Sequence, residues 1–230
     1  MKSKVEVIGF DADDTLWVNE TYYRDTEEAY VKLLSEFADR ETVMKTLFDT
    51  EMSNLSKYGF GIKAFVLSML ENGISISKGK ISPASIMAII DMGKEMLEKD
   101  IELLPGVKEV LDQLHGKYKL IVATKGDLLD QERKLFRSSL SRYFHHIEIM
   151  SDKQVENYRN LLKHLEIAPE KFVMIGNSLK SDILPPLELG SYAIHVPYHT
   201  TWEHEKVDRK PESSNFFEVN GLEEILSFLA

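Results

Sequence analysis

The chain has 230 residues, with 28 basic and 38 acidic side chains and a formal net charge of −10. This length allows one large domain, or one core domain with an insert, at about 100 to 200 residues per domain. The negative charge disfavours nucleic acid as a partner, and no apolar run approaches the roughly 20 residues of a membrane-spanning helix. The absence of cysteine excludes disulfides, thiolate zinc sites and cysteine nucleophiles, and it favours residence in the cytoplasm.

Five short apolar runs rich in β-branched residues predict five β-strands. They lie at residues 5–10, 119–123, 146–150, 172–175 and 192–196. Segments of helical period separate the later runs, and this strand–helix–strand order predicts parallel pairing. Because the runs are apolar throughout, helices are expected on both faces of the sheet. The predicted fold is therefore an α/β protein with a doubly wound, Rossmann-like parallel sheet.

About a hundred residues separate the first two predicted strands, far more than one crossover needs. Helical spacing of apolar residues recurs there, at residues 20–38, 41–57, 63–71 and 83–97. We therefore predict a core domain of residues 1–17 and 104–230, with a small α-helical bundle of residues 18–103 inserted into it. The polar stretch 205–220 is expected to be a surface connection before a last helix.

Polar residues follow four of the predicted strands. Asp11 and Asp13 follow the first strand, Thr124 and Lys125 the second, and Lys153 the third. The fourth strand runs into Asn177, Ser178, Lys180, Ser181 and Asp182. Ligands of open parallel sheets bind outside the carboxyl ends of the strands. Oxygen ligands of this kind suit Mg²⁺, and the adjacent lysine and hydroxyl groups suit a phosphoryl group.

The order of these residues resembles the motifs of the haloacid dehalogenase superfamily. Residues 10–16, Phe-Asp-Ala-Asp-Asp-Thr-Leu, match its first motif, an apolar strand followed by Asp-x-Asp-x-Thr. Thr124 resembles the hydroxyl of the second motif, Lys153 the lysine of the third, and residues 176–182 the acidic fourth motif. The inserted helices resemble the cap domain of one large branch of this superfamily, so the resemblance spans almost the entire chain.

The resemblance implies Mg²⁺-dependent hydrolysis of a small phosphomonoester, which would be the protein's partner. Asp11 would attack phosphorus and form an aspartyl phosphate, and Asp13 would protonate the leaving oxygen and then activate water. Thr124, Lys125 and Lys153 would bind the phosphoryl group, with Lys125 equally compatible with an exposed charge. The implied metal ligands are Asp11, Asp13, Asn177 and Asp182. True haloacid dehalogenases lack the acid at the position of Asp13, which therefore favours phosphoryl transfer.

Asn177 departs from the pattern, because the fourth motif usually has an aspartate after the glycine. A neutral amide predicts weaker metal affinity. This departure motivates one alternative, a non-catalytic protein that binds a phosphorylated metabolite, and a sugar-phosphate mutase is a further alternative. Imidazole and carboxylate groups that could bind zinc also occur together late in the chain: His195, His199, Glu203, His204 and Glu205. Hydrogen bonds that order this loop are the favoured role for them, ahead of a zinc site. Asp14 is predicted to be a solvated turn residue.

Overall fold

The structure is a computed structural model that describes residues 4–230. The chain divides into two compact units. The core unit contains the residues up to Glu20, together with Ile101–Lys125 and Gln131–Ala230, and the helical unit contains Thr21–Asp100 and Gly126–Asp130. The domain boundaries at residues 17 and 104 stay predictions. No sequence signal indicated that residues 126–130 group with the helical unit.

The core unit is built on a parallel sheet of six strands among the described residues. The strands are β1 (Val7–Phe10), β2 (Lys119–Lys125), β3 (His146–Met150), β4 (Phe172–Gly176), β5 (Tyr192–His195) and β6 (Phe216–Glu218). Their order across the sheet is β3-β2-β1-β4-β5-β6. The predicted doubly wound parallel sheet is confirmed. The sixth strand lies in the stretch 205–220, so the prediction of a surface connection is wrong for these three residues.

The helices are α1 (Glu20–Leu33), α2 (Arg40–Tyr58), α3 (Ile62–Ile76), α4 (Pro83–Glu98), α5 (Val107–Leu114), α6 (Leu128–Arg137), α7 (Val155–His164), α8 (Leu184–Glu188) and α9 (Leu226–Leu229). A five-residue π-helical segment, Leu179–Ile183, follows β4. No helix among residues 4–230 is long and apolar enough to cross a membrane.

Both faces of the sheet are buried, which explains why the strands are apolar throughout. On one face, Ile8 and Phe10 pack in a cluster that includes α5 and α9. On the other face, Val7 packs with Phe172 and with Tyr158 of α7. Alternate residues of each strand thus face different helices.

The helical unit has its own apolar cluster, which includes Tyr30, Leu47, Phe65 and Ile89. The hydroxyl of Tyr30 is buried there and donates to the backbone oxygen of Met69 at 2.7 Å. Helices α2 and α4 begin at side-chain caps, since Asp39 Oδ1 accepts from Thr42 N and Ser82 Oγ accepts from Ser85 N. The helices that the spacing of apolar residues predicts between the first two strands are present as α1 to α4.

The carboxyl end of β1 lies at the point where the strand order reverses. The strands next to β1 are β2 on one side and β4 on the other, and the connections run outwards in both directions from there. In doubly wound sheets this position forms a crevice outside the strand ends. The residues that follow β1, starting with Asp11, are therefore placed where ligands bind in this class of fold.

Asp14 lies in the turn after β1, and the prediction that it is solvated is wrong. Asp14 is 6% exposed, and its backbone has a φ of 61°, in the left-handed region. Its carboxyl group accepts from the backbone N–H groups of Asn19 at 2.8 Å and Glu20 at 3.0 Å. Burial raises the pKa of Asp14 to about 8, against the opposing effect of these hydrogen bonds. Asp14 therefore orders the chain that leaves the first motif.

Replacement of Asp14 by alanine is expected to lower the free energy of unfolding by about 2 kcal/mol, through loss of the backbone acceptor and left-handed strain. Asp14→Asn keeps one acceptor oxygen and tolerates a positive φ, so we expect less than half of this loss. Urea denaturation would measure both variants, with Asp25→Ala at an exposed position of α1 as the control. Equal losses for the alanine and asparagine variants would contradict this role.

The raised pKa of Asp14 also fixes the sign of a pH effect. Between the unfolded and folded pKa values the folded protein binds more protons than the unfolded chain, so the contribution of Asp14 to stability falls as pH rises. Asparagine has no such proton. Asp14→Asn should therefore gain stability relative to the wild type between about pH 5 and about pH 8.

Candidate active site

Asp11, Lys153 and Asp182 form a buried ion cluster at the carboxyl ends of β1, β3 and β4. The ammonium group of Lys153 contacts Asp11 Oδ1, and it lies 2.6 Å from Asp182 Oδ1. Lys153 and Asp182 are each 1% exposed. The second oxygen of Asp182 accepts from the backbone N–H of Ser178 at 2.9 Å. Lys153 thus contacts two carboxyl groups that lie far from it in the sequence.

The cluster holds two carboxyl groups around one ammonium group, and this sets its electrostatics. Burial and the charge of Asp182 raise the pKa of Asp11 to about 7, although Lys153 opposes them. The two carboxylates hold the pKa of Lys153 above its usual range, against the effect of burial. The site therefore has an excess of negative charge that a bound cation would balance.

Gly176 leaves the space that Asp182 occupies. A Cβ atom at Gly176 would lie 2.3 Å from Asp182 Oδ2 and 2.6 Å from its Cβ. Such contacts are too short for any side chain, so a larger residue would push the whole Asp182 side chain away from Lys153. The glycine at the end of β4 is therefore required by the ion cluster.

The amide group of Asn177 faces two other oxygen-bearing groups of the first motif. One terminal atom of the amide, which is oxygen or nitrogen depending on how the amide is turned, lies 3.2 Å from both the backbone oxygen of Asp13 and Asp11 Oδ2. The hydroxyl of Thr15 lies 3.2 Å from Asp11 Oδ2 and 3.3 Å from the Asn177 amide oxygen. One orientation of the amide directs its nitrogen at these two acceptors, and the other brings three oxygen atoms together.

The carboxylate of Asp13 points to a different set of partners. Its Oδ1 accepts from Trp17 Nε1 at 2.7 Å and from Lys134 Nζ at 2.9 Å, and its Oδ2 accepts from Gln131 Nε2 at 2.8 Å. Burial raises the pKa of Asp13, but Lys134 and the three hydrogen bonds outweigh burial and lower it overall. Asp13 therefore contributes its backbone oxygen to the side of Asp11 and its carboxylate to a separate polar cluster.

Lys125 is bound by residues that the sequence did not associate with it. Its ammonium group contacts Glu205 Oε1 and donates to Ser181 Oγ at 3.0 Å. The other oxygen of Glu205 accepts from Ser178 and Ser181. Although burial opposes it, Lys125 together with these hydrogen bonds lowers the pKa of Glu205 to about 2. Thr124 is buried beside Lys125, and its hydroxyl makes a long bond of 3.4 Å to the Lys125 backbone oxygen.

The histidines named as zinc candidates have other partners. The ring of His195 lies 3.0 Å from Glu218 Oε2 and 3.0 Å from the backbone oxygen of Asn177. The ring of His199 lies 2.6 Å from the Thr200 hydroxyl. Within residues 4–230, no group of three or more His, Asp or Glu side chains is arranged to hold a metal ion. His195 instead supports the loop that carries Asn177.

Comparison with known proteins identifies the family. The model of haloacid dehalogenase-like hydrolases matches residues 5–190. The chain belongs to the haloacid dehalogenase-like hydrolase family. A solved structure of a haloacid dehalogenase-like family hydrolase from Xanthomonas campestris is 34% identical, with a TM-score of 0.86, and the match covers 95% of this chain and 87% of that one.

Two further matches carry more specific descriptions. Glyceraldehyde 3-phosphate phosphatase of Pyrococcus furiosus is 24% identical over 212 residues, which are 85% of this chain and 82% of the relative. The putative HAD-hydrolase YfnB from Bacillus subtilis, described as bound to magnesium, has a TM-score of 0.64 at 16% identity, with 98% of this chain and 99% of that chain covered. This second likeness shows the fold alone.

Sequence reasoning missed the residues that hold Asp13 and Lys125. Gln131 and Lys134 are polar residues three apart on the helix after the second motif, and this spacing places them on one face. That signal was present in the sequence. Glu205 had no comparable signal, because its partner Lys125 lies 80 positions away and no pattern links the two.

Proposed function

We propose that this haloacid dehalogenase-like hydrolase is a phosphatase of small phosphomonoesters that works with Mg²⁺ and carries the phosphoryl group on Asp11. One observation carries the proposal: the Asp11 carboxyl group lies between the Lys153 ammonium and the oxygen atoms around Asn177. A carboxylate in such a position combines a nucleophile with cationic stabilisation of the transferred group.

The residues present fit a magnesium ion. When the Asn177 amide oxygen faces Asp11 Oδ2 and the backbone oxygen of Asp13, it lies 3.2 Å from each of these two acceptors, and the Thr15 hydroxyl has one proton to offer. Carboxylate, backbone and amide oxygens are the ligands that Mg²⁺ prefers. Asp11, Asp13 and Asn177 would hold the ion, and Asp182 would act through its remaining lone pairs or a water molecule. Bound there, Mg²⁺ would neutralise charge on the transferred phosphoryl group.

The chain's own residues would perform two displacements. An oxygen of Asp11 bonds to phosphorus while the ester P–O bond breaks, and Asp13 gives a proton to the leaving oxygen. A water oxygen then bonds to phosphorus, a water proton goes to Asp13, and the bond between Asp11 and phosphorus breaks. Inorganic phosphate and an alcohol are the products, and Asp11 and Asp13 return to their starting states.

Lys153 and Thr124 would hold the oxygens of the phosphoryl group. Lys153 is the cation in direct contact with Asp11, so it lies beside the reacting oxygen. Asp182 fixes Lys153 there from the opposite side. Lys125 would act at one remove, because Glu205 and Ser181 engage its ammonium group. A phosphoryl oxygen would have to compete with Glu205 for Lys125.

The substrate class is a small phosphorylated metabolite. The Pyrococcus furiosus relative is named for glyceraldehyde 3-phosphate, and its likeness extends over 85% of this chain. That name supports a small phosphomonoester, and it supplies the first compound to test. The charge of −10 also favours a small ligand over nucleic acid.

Release of inorganic phosphate tests the proposal directly. The purified protein would be assayed on p-nitrophenyl phosphate, glyceraldehyde 3-phosphate and a panel of sugar and small-acid phosphates, with Mg²⁺ and with a chelator. We expect turnover that the chelator removes and added Mg²⁺ restores. Phosphate release of equal rate with chelator would contradict the metal requirement, and analysis of the organic product distinguishes hydrolysis from transfer back to a sugar phosphate.

A folded protein that binds Mg²⁺ and releases no phosphate from the panel would overturn the catalytic proposal. Thermal unfolding with and without Mg²⁺ provides the binding readout, because a ligand that binds the folded state raises its apparent stability. That outcome would favour the non-catalytic alternative, in which the protein binds a phosphorylated metabolite.

A further inference from the structure

Lys125, Ser178, Ser181 and Glu205 form a second polar cluster in the core unit, the Glu205 cluster. Oε1 of Glu205 contacts the ammonium group of Lys125, and its Oε2 accepts from the hydroxyl groups of Ser178 and Ser181. The side chains of Lys125 and Glu205 are 17% and 11% exposed, and both serines are buried. One ammonium and two hydroxyl groups thus converge on a carboxylate that is largely removed from water.

The Glu205 cluster lies at the same edge of the sheet as Asp11. Lys125 is the last residue of β2, Ser178 and Ser181 follow β4, and β1 lies between these two strands. Lys125 Nζ donates to Ser181 Oγ at 3.0 Å, so its side chain reaches across the carboxyl end of β1, where ligands bind in this class of fold. Ser178 connects the two clusters, because its backbone N–H donates to Asp182 Oδ2 at 2.9 Å.

Tyr158 provides a second sign that the two clusters are close. Its hydroxyl is buried and donates to the backbone oxygen of Ser181 at 3.0 Å. Burial raises the pKa of Tyr158 well above its usual value; Lys153 opposes this, and the carboxylates of the ion cluster and of Glu205 add to it. The charge of Glu205 therefore acts on the same group as the charges around Asp11.

Glu205 is held in place as an anion. It ends a 3₁₀ helix, Glu203–Glu205, and Lys180 of the π-helical segment donates to the backbone oxygen of His204 at 2.8 Å. Burial raises the pKa of Glu205, but Lys125 and the two serine hydroxyl groups outweigh it and lower the pKa to about 2. At neutral pH the Glu205 cluster thus contains a fixed carboxylate that belongs to the chain itself.

We infer that Glu205 is an internal anion that withholds Lys125 from phosphate, and that its removal makes Lys125 a ligand of the phosphoryl group. The inference rests on the proposed function, in which Thr124, the neighbour of Lys125, binds phosphoryl oxygens. Ammonium and hydroxyl donors that suit a carboxylate also suit a phosphoryl oxygen, since both acceptors are anionic oxygens. While Glu205 engages these donors it keeps them from the substrate, and its charge repels the incoming phosphate.

This contact limits the affinity of the site for both substrate and product. Inorganic phosphate is the last product of the proposed reaction, and it presents the same oxygens as the substrate. Weak binding of phosphate favours its release, a step that limits turnover in many enzymes. Glu205 therefore exchanges some affinity for the substrate against an easier release of phosphate.

Binding of inorganic phosphate tests the inference without any need for turnover. The wild type and its variants would be titrated with phosphate by calorimetry at neutral pH in the presence of Mg²⁺. Glu205→Gln removes the charge and keeps the size of the side chain, so we expect it to bind phosphate at least about fivefold more tightly than the wild type. Inhibition of turnover by phosphate should become stronger in the same variant.

Matched variants assign the gain to Lys125. Glu203→Gln makes the same charge change on the same 3₁₀ helix, but Glu203 is exposed and paired with Lys206, so phosphate affinity should stay within about twofold of the wild type. Lys125→Met combined with Glu205→Gln should lose most of the gain, because the released ammonium group is gone. Glu205→Ala removes every acceptor of the side chain and should show a gain of its own. Thermal unfolding checks that each variant is folded.

Two results would overturn the inference. In the first, folded Glu205→Gln and Glu205→Ala bind phosphate no more tightly than the wild type, which would make the Glu205 cluster a structural tie between β2 and the segment after β4. In the second, the gain persists undiminished when Lys125→Met is added, which would place the new affinity at another group.

Failure of the proposed function is distinguishable from failure of this inference. If neither the wild type nor Glu205→Gln binds phosphate, and no phosphomonoester is hydrolysed, the proposed function fails and the inference is lost with it. If Asp11→Asn abolishes turnover while Glu205→Gln leaves the affinity for phosphate unchanged, the proposed function stands and the role of Glu205 is rejected.

Discussion

Asp11→Asn is expected to lower turnover by at least about 10³-fold on every phosphomonoester that the wild type hydrolyses, because the amide is a poor nucleophile. The substitution keeps the size of the side chain and its neighbours Thr15 and Asn177. Lys153 keeps Asp182 as its partner at 2.6 Å. The loss should therefore appear in kcat, without loss of the folded state.

Stability provides an internal check on this variant. Asp11 and Asp182 share one ammonium group, and burial raises the pKa of Asp11 to about 7. Removal of one of these two carboxyl groups should leave the free energy of unfolding unchanged or raise it. Asp208→Asn, at an exposed position of the same unit, is the matched control and should retain wild-type turnover.

The covalent step has its own readout. Acid-quenched wild-type enzyme should carry one phosphoryl group on the peptide that contains Asp11, and hydroxylamine should remove it, as it does for acyl phosphates. The Asp11→Asn variant should carry none. Turnover above about a tenth of the wild-type value, with no phosphopeptide in either protein, would assign the attack to another group.

The ion cluster could be predicted from the sequence because parallel strands bring their carboxyl ends to one edge of the sheet. Asp11, Lys153 and Asp182 each follow a readable apolar strand, so their meeting required no knowledge of loops. The same logic does not extend to Glu205, which reaches Lys125 from a three-residue 3₁₀ helix after β5. Its position depends on the path of an irregular segment that has no periodic pattern.

Short-range geometry limited the prediction at other places. Strand β6 is three residues long and lies in a polar stretch, too short for a period of two to stand out. Asp14 has the composition of a solvated turn, yet the chain folds back so that Asn19 and Glu20 offer it their backbone N–H groups. Burial of a polar residue in a turn depends on this return of the chain, which composition does not encode.

The surroundings of Asp13 show which part of the site a sequence motif predicts and which part depends on tertiary packing. That Asp13 lies near Asp11 follows from two residues of spacing in the first motif. The direction of its carboxylate depends on α6, which begins after a separate strand and approaches Asp13 from the side. A sequence motif therefore predicts which acid is present, and tertiary packing decides where that acid points.

Lys153→Met is expected to lower the free energy of unfolding by about 3 to 5 kcal/mol, the usual cost of leaving buried charge without its partner. Lys153 is 1% exposed and contacts both Asp11 and Asp182. Methionine fills similar volume, so loss of packing contributes little. Turnover should also be lost, since the cation beside the Asp11 oxygen is gone.

The loss of stability should depend on pH with a defined sign. Without the ammonium group, burial and repulsion by the Asp182 carboxylate raise the pKa of Asp11 further in the folded variant. The folded state then binds more protons than the unfolded chain, so the variant becomes less stable as pH rises from about 5 to about 8. Lowering the pH should restore part of the lost stability.

A second substitution distinguishes lost charge balance from lost packing. Lys153→Met combined with Asp182→Asn removes one of the two carboxyl groups and should recover part of the stability, whereas a packing defect would remain or grow. Lys163→Met, on the surface of α7, should change the free energy of unfolding by less than about 0.5 kcal/mol. If Lys153→Met unfolds at the same urea concentration as the wild type, the cluster is not the buried ion pair described, and Asp11 must reach its working charge state by another route.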